Sequence, residues 1–423
     1  MKSMNRRVFL KSGAVAAAAF TIGKSALGAN GRIRVGVIGL RNRGNQVADS
    51  MNACGRFEVA ALCDCDRAMY DVAVGKIGRK LEKVPAFTQD FRKVLDDPGI
   101  DAVVVALPDH WHGLATVMAL DAGKHVYVEK PMSHNILDGR AMVAAAARNP
   151  KLAVQVGTQQ RSGPHFQEAR DFIRGGGLGK VGFARAWITH DRDTVPRVPD
   201  ADPPAGFDYD LWVGPAPFRA YNPELTHYNW HFTWNFGTGE MGNWGAHWID
   251  IVRWYLDLDL PSAVLGIGGQ LVVKDAKETP DTQTAIYQFP ETTVIWEQRL
   301  WTKFGINGKG SGAEFGGEKG TLVIGRDGWT FAPKEGKPEK HPGTEMELPH
   351  AINFADAIEG TAKPVAPVTE GHKTAVMCHL ANIAARRNGK LDFDPATEQI
   401  TNDPEAQALA GRENRAPWPQ YVL

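Results

Sequence analysis

The densest chemistry in the chain lies between Ala102 and Pro131. An apolar run ends in Pro108-Asp109-His110-Trp111-His112, a helical pattern follows, and a second run ends on Glu129-Lys130-Pro131. A Lys at the carboxyl end of a parallel strand stands beside the crevice that a Rossmann sheet opens for a dinucleotide, where hydride transfer calls for a cation. A second cluster runs from His227 to Asp250, HYNWHFTWNFGTGEMGNWGAHWID. Gly237 and Gly239 break the chain, and from Glu240 onward it reads as a helix with a core stripe of Met241, Trp244, Trp248, Ile251 and Tyr255. Glu240, Asn243, His247 and Asp250 recur at i, i+3, i+7 and i+10, on another face that can look into a pocket. A plainer reading has Glu240 complementing the helix N-terminus, Asn243 capping locally and His247 satisfied in the core. That reading is preferred for Glu240 and Asp250, while His247 stays a candidate functional residue.

A phosphate-binding turn is expected at Gly39-Leu40-Arg41-Asn42-Arg43-Gly44, directly after the first strand. Such turns want a glycine for the tight bend, one for close approach to the pyrophosphate and one for helix packing. Arg41 stands at the middle position, so the match is imperfect. Asp64, about 25 residues on at the end of the second strand, can bind the adenosine ribose hydroxyls and would repel a 2′-phosphate. NAD is favoured over NADP, with Arg41 or Arg43 able to offset part of that repulsion.

The elements that must position these residues alternate β-rich and helical runs from Arg32 to Val156, which is a parallel-sheet signature. Strands are expected at 33–39, 57–62, 102–107, 125–128 and 152–156, and helices at 45–52, 111–121 and 136–146, with Gly123 as a C-cap. After Gly157 come a helix near 166–173 and longer runs at 181–189, 282–289 and 293–301, with helices near 352–358 and 372–387. The fold expected is an α/β Rossmann domain with a parallel sheet, plus an α+β C-terminal domain with a large, mostly antiparallel open sheet. The divisions are 1–29 as a leader, 32–156 as the dinucleotide domain, 157–370 as the substrate domain, and 371–423 as a helix and tail packing back.

The leader combines Asn5-Arg6-Arg7-Val8-Phe9-Leu10-Lys11, a weakly apolar run to Ile22 and Ala26-Leu27-Gly28-Ala29, which reads as a twin-arginine export signal. Its apolar run is too short for a membrane span. Export machinery is thus an expected partner and the periplasm the expected compartment. Roughly 390 residues remain after it, enough for two full cores. Lys and Arg number 48 against 48 Asp and Glu, with no basic block, so neither nucleic acid nor a membrane anchor is expected. The four cysteines, Cys54, Cys63, Cys65 and Cys378, read as buried thiols, since Cys63-Asp64-Cys65 lacks redox spacing. His110 and His112 could join His227, His231 or Glu240 around zinc, but His-x-His on a loop is not a ligand signature, and no metal is expected.

The glycine turn, Asp64, Pro108 to His112, Glu129-Lys130-Pro131, Gly157-Thr158-Gln159-Gln160-Arg161 and the glycine-flanked Asn243-x-x-x-His247 together resemble the glucose-fructose oxidoreductase and inositol dehydrogenase (Gfo/Idh/MocA) family. The resemblance covers nearly everything after the leader. It implies an NAD(P)-dependent oxidoreductase in which Lys130 lies near substrate and nicotinamide, His247 accepts a proton and His112 lies near the cofactor. It also places Gln159 and Arg161 at the domain junction as substrate-side residues. Cofactor contacts then fall to Gly39, Arg41, Asn42, Arg43, Gly44, Asp64, Pro108, Asp109, His112, Glu129 and Lys130, and substrate contacts to Tyr228, Trp230 and His231. Trp212 and Trp234 are further candidate sugar-stacking faces. The family often has Asp where this chain has Asn243, so Asp250 or Asp109 would have to supply the charge that an Asp at 243 gives His247, or His247 works at lower basicity.

The expected substrate is a saccharide, cyclitol or glycoside. Outside the cytoplasm no free nicotinamide pool exchanges with the enzyme, so a tightly held, internally recycled cofactor is expected. Two further readings stand beside net redox chemistry: a redox-neutral NAD-dependent glycosidase working through a transient 3-keto sugar, and a non-catalytic sugar-binding protein. A homo-oligomer, dimer or tetramer, is expected.

Overall fold

A computed structural model describes residues 31–77, 80–81 and 83–421; the leader 1–29 lies outside them. Six strands form a parallel sheet: β1 (Ile33–Ile38), β2 (Phe57–Cys63), β3 (Ala86–Thr88), β4 (Ala102–Val105), β5 (His125–Val128) and β6 (Val154–Val156), in the order β3-β2-β1-β4-β5-β6. The order reverses between β1 and β4, and a crevice opens beyond their carboxyl ends. Central strands are buried on both faces, which is why β1 and β4 read as nearly unbroken apolar runs. Helices α1 (Asn42–Ala53), α2 (Ala68–Lys76), α3 (Arg92–Leu95), α4 (Asp109–Asp121) and α5 (Ile136–Arg148) connect them. Of these, β3, α2 and α3 were not legible in the sequence: β3 has three residues and α3 four, too short to show a period.

The second unit is a ten-stranded open sheet. Its strands are β7 (Val181–Thr189), β8 (Ala263–Gly269), β9 (Thr282–Gln288), β10 (Thr293–Arg299), β11 (Ser311–Gly317), β12 (Gly320–Gly325), β13 (Gly328–Pro333), β14 (Glu339–Pro342), β15 (Lys390–Asp394) and β16 (Gln399–Ile400). All neighbours are antiparallel except β7 and β10. One face packs on helices α6 (Pro164–Arg174), α7 (Tyr209–Val213) not included, but α8 (Ala246–Leu256) and α10 (Val368–Arg387) included, through Trp248, Tyr255, Tyr287, Trp296 and Phe315. Helix α9 (Glu347–Ile358) crosses back to the Rossmann unit, where Phe354 lies 5.9 Å from Phe57 and 5.8 Å from Tyr127. Among the described residues no helix is long and apolar enough to cross a membrane.

A buried ion pair joins the units. Arg161, in the turn after β6, donates to both carboxylate oxygens of Asp250 on α8 at 2.7 and 2.8 Å, and Thr374 on α10 donates to the same carboxylate at 2.9 Å. Both side chains are at most 3 % exposed. Removing one member strands the other charge, so Asp250→Ala is expected to lower unfolding free energy by about 3–5 kcal/mol. The check is the midpoint shift in chemical denaturation; a wild-type midpoint would mean that water replaces the lost carboxylate.

Candidate active site

The glycine turn is built as a cradle for an anion. Gly39 has φ +94°, and a Cβ there would stand 2.4 Å from Ala106 O; at Gly44 a Cβ would stand 1.8 Å from Gly39 O. Neither position tolerates a side chain without opening the turn. Arg41, which made the motif imperfect, has φ −75° and ψ −158°, an ordinary extended conformation that asks for no glycine. No side chain caps α1, so its first N–H groups are left facing the crevice. Asp64 stands at the end of β2, where its Oδ2 accepts the Leu40 N–H at 2.8 Å and its Oδ1 the Asp66 N–H at 3.0 Å. Burial pushes the Asp64 carboxyl up, against those two N–H groups.

A cleft of about 1160 Å³, open mouth included, runs from this turn to the large sheet. It is lined by Gly39, Arg41, Asn42, Arg43, Asp64, Pro108, Asp109, His112, Glu129, Lys130, Tyr228, Trp230, His231 and Asn243 among the expected residues. Trp212 lines it too, together with Cys65, Met69, Pro131 and His227. His227 holds Asp66 at 2.8 Å; the sequence had offered it only as a metal ligand. His112 binds two loops together, its ring nitrogens each 2.7 Å from the carbonyl oxygens of Pro131 and Leu107. His110 is enclosed by Trp212 and Phe236, and burial lowers its pKa to about 3. Among the described residues no cluster of three or more metal-ligating side chains is assembled.

Several expected contacts lie elsewhere. Arg43 lines the cleft, but its guanidinium is committed to Glu129 at 2.6 Å and, bidentately, to Glu347 of α9 at 3.0 Å twice. It is therefore not a free cation for a phosphate. Gln159 donates to the same Glu347 at 2.9 Å and Arg161 is consumed by Asp250, so both act at the unit junction and neither lines the cleft. Trp234 faces a different hollow, under Arg386.

Lys130 is the centre of the site. Its Nζ donates to Asn243 Oδ1 at 2.6 Å and to Asn243 O at 3.3 Å. Asn243 Nδ2 in turn donates to Glu240 Oε2 at 3.1 Å. Glu240 is completely buried and pairs with Arg192 at 2.7 Å, with His231 Nε2 3.7 Å away. Burial pushes the Glu240 carboxyl up, but the nearby imidazole of His231 and the charges of Arg192 and His190 outweigh it and bring the pKa to about 2. Burial lowers the Lys130 pKa; Glu129 and Asp109 oppose that, while Arg43 and Arg326 reinforce it.

This corrects the expected helix face. Met241 to Gly245 is π-helical, and α8 begins only at Ala246. The wider turn breaks the regular phase assumed from Glu240 to Asp250. Both ends of the Asn243 amide are used by Lys130 and Glu240, and none by His247. His247 is 5 % exposed, is not part of the cleft wall and has no hydrogen-bond partner at Nδ1. Burial pushes its pKa well below the histidine range, and Arg326, Lys130 and Arg43 push the same way. Neither Asp250, held by Arg161, nor Asp109, which accepts from Thr238 Oγ1 at 2.6 Å, supplies it with a negative charge. Glu240 is likewise more than a complement to a helix terminus, since it ties Asn243 to Arg192.

With this geometry in place, the comparisons define the class. Residues 33–158 match the oxidoreductase family with an NAD-binding Rossmann fold, and residues 179–299 and 330–420 match its C-terminal alpha/beta domain. The chain belongs to the Gfo/Idh/MocA oxidoreductase family, and its first domain is an NAD-binding one. Among curated relatives, an uncharacterized oxidoreductase, YrbE, of Bacillus subtilis is 28% identical over 35% of this chain and 42% of its own length. A glycosyl hydrolase family 109 protein of Solibacter usitatus is 27% identical over 39% of each chain. The chain thus spans about two fifths of the length of these relatives. Among solved structures, levoglucosan dehydrogenase in complex with NADH and levoglucosan superposes with TM-score 0.67 at 19% identity, over 85% of this chain and 99% of that one. An aldose-aldose oxidoreductase from Caulobacter crescentus gives TM-score 0.67 at 18% identity, over 86% and 100%. At such identities the likeness establishes the fold.

The Lys130–Asn243 contact makes a pH prediction. Asn243→Asp puts a carboxylate against Nζ and favours the ammonium, so the Lys130 pKa rises. The reactivity of Lys130 toward an amine-specific reagent should then appear at correspondingly higher pH, read by competitive labelling. An unmoved titration would show that the amide does not face the amine in solution.

Proposed function

We propose that the protein is an NAD-dependent oxidoreductase acting on a hydroxyl of a saccharide, cyclitol or glycoside, and that Lys130 is its proton acceptor. The observation that carries this reading is a buried amine of lowered basicity at the carboxyl end of β5, fixed by Asn243 in the wall of the dinucleotide cleft. NAD fits the cradle of Gly39, Asn42, Gly44 and Asp64, and when bound it supplies the hydride acceptor. In its unprotonated form Lys130 takes the hydroxyl proton, a contribution of about two to four powers of ten in rate. The ammonium so formed is stabilised by the Asn243 oxygen, which Glu240 orients through the other end of the amide. Trp230 and Trp212 offer faces to sugar C–H groups, and Tyr228, 46 % exposed, stands at the rim. His247, low in basicity and outside the cleft wall, is a less suitable acceptor than its expected role required.

The similarity to glycosyl hydrolase family 109 proteins favours one second reading. Oxidation at C3 acidifies the C2–H, whose proton is lost as the glycosidic oxygen leaves C1 by elimination; water adds across the C1–C2 double bond and the hydride returns to C3, so no net redox change results. The two readings part on products: a glycoside is either oxidised intact or cleaved with solvent deuterium at C2.

The full reading includes export by the twin-arginine route and a tightly held cofactor that is recycled in place. It also includes self-association through the open sheet face carrying Leu265, Ile267 and Ile286, each exposed. The mature protein, collected from the periplasm, is expected to elute above its monomer mass and to release a nicotinamide dinucleotide on denaturation. A monomer retained in the cytoplasm would remove that part of the reading. Lys130→Ala should keep the dinucleotide and lose sugar-dependent nicotinamide reduction by at least about a hundredfold. Wild-type turnover in that variant would move the proton acceptor elsewhere.

A further inference from the structure

Arg326 is at the tip of the two-residue turn between β12 and β13, where Gly325 pairs with Gly328. Its guanidinium lies over the Trp244 ring, 4.9 Å from the centroid. Trp244 in turn meets His190 edge-on at 5.2 Å and His247 at 5.9 Å, and it adjoins Asn243 in sequence. Arg326 therefore stands on the large-sheet side, beside the cleft wall rather than in it, close enough for its charge to act on both Lys130 and His247.

What Arg326 lacks is an anion. Among the described residues no carboxylate pairs with it, its buried Nε has no hydrogen-bond partner, and Nη2 reaches only Gln160 Oε1, at 3.4 Å. The adjacent carboxylate, Asp327, is taken by Lys309 at 2.6 and 2.7 Å. On the Rossmann side Glu129 and Glu347 are taken by Arg43. Gln160 adds a second unsatisfied donor, since its Nε2 has no partner although the side chain is 1 % exposed. A half-buried guanidinium that no carboxylate touches is costly even with Glu347 and Glu129 acting on it from a distance, and its planar fork suits a carboxylate.

We propose that Arg326, held flat by Trp244, receives the carboxylate of an acidic saccharide, a uronic or other sugar acid whose hydroxyl is presented to Lys130. This rests on the reading of the cleft as a sugar site and narrows its substrate class. With Nε buried and Nη2 leaning on Gln160 at 3.4 Å, the pairing falls to the Nη1–Nη2 end of the group. A neutral sugar leaves that cation to water; an acidic one completes the charge balance of the site.

The test is calorimetric titration of the full-length holoprotein with matched pairs: glucuronate against glucose and galacturonate against galactose, with glucose 6-phosphate as the phosphate arm. At least one acidic sugar is expected to bind about tenfold or more tighter than its neutral partner. Arg326→Gln should reduce that ratio to within about twofold, and Arg326→Lys, which keeps the charge but not the fork, should retain part of it. The proposal is overturned if no acidic sugar outbinds its neutral partner, if only the phosphate does, or if the preference survives in a folded Arg326→Gln variant. Should Arg326→Gln fail to fold, the Arg326→Lys ratio decides, and an undiminished preference there counts against the fork. Binding needs no turnover, so the outcomes separate: acidic preference without nicotinamide reduction keeps this assignment and removes the oxidoreductase reading, while oxidation of neutral sugars alone does the reverse.

Discussion

The hydrogen bond from Lys130 Nζ to Asn243 Oδ1 is the contact on which the rest of the site depends, because it joins the end of a Rossmann strand to the π-helical turn that opens α8. A buried amine needs acceptors, and an amide oxygen satisfies one N–H without adding charge. The amide is then oriented by its other end, which donates to Glu240, and Glu240 is anchored by Arg192. One chain of polar contacts therefore crosses from the dinucleotide unit to the large sheet. Each link fixes the direction of the next, so a fault at any member reaches the amine.

The same logic explains why so many charged residues near the cleft do not touch ligand space. Arg43 bonds Glu129 and Glu347, and Arg161 bonds Asp250. These pairs tie α9 and α8 to the Rossmann unit. The buried Arg161–Asp250 pair adds little net stability over apolar packing, but breaking it is expensive, so it holds the two units in a single relation that the partly exposed Arg43 pairs reinforce. A site assembled from both units, with Lys130 on one and Asn243 on the other, needs that relation to be kept.

How much of this could be read in the sequence follows from the range of the signals. The parallel sheet, the glycine turn, Asp64 and Lys130 are local: each is set by strand period, turn chemistry or position at a strand end. The Arg41 misfit disappears once its backbone is seen to be ordinary, since the glycine requirement attaches to Gly39 and Gly44, where backbone oxygens approach. What was not legible is long-range pairing. Nothing at Arg161 announces Asp250, and nothing at Arg43 announces Glu347. The face assigned to Glu240, Asn243, His247 and Asp250 assumed a regular α-helical phase, and the π turn at Met241 to Gly245 defeats that assumption. Two glycines within Met241-Gly242-Asn243-Trp244-Gly245 were the available hint, since glycine weakens a regular helix.

Asn243 gains its meaning from the charges around it. An aspartate there would hold Lys130 as an ammonium, a good electrophile and a poor proton acceptor. The amide leaves burial, Arg43 and Arg326 free to lower the basicity of Lys130, with only Glu129 and Asp109 opposing. The same cations act on His247 with no carboxylate to oppose them, and burial with those charges holds it well below the usual histidine range. A carboxylate stands three residues earlier at Glu240, where Arg192 neutralises it and Asn243 transmits only its orientation.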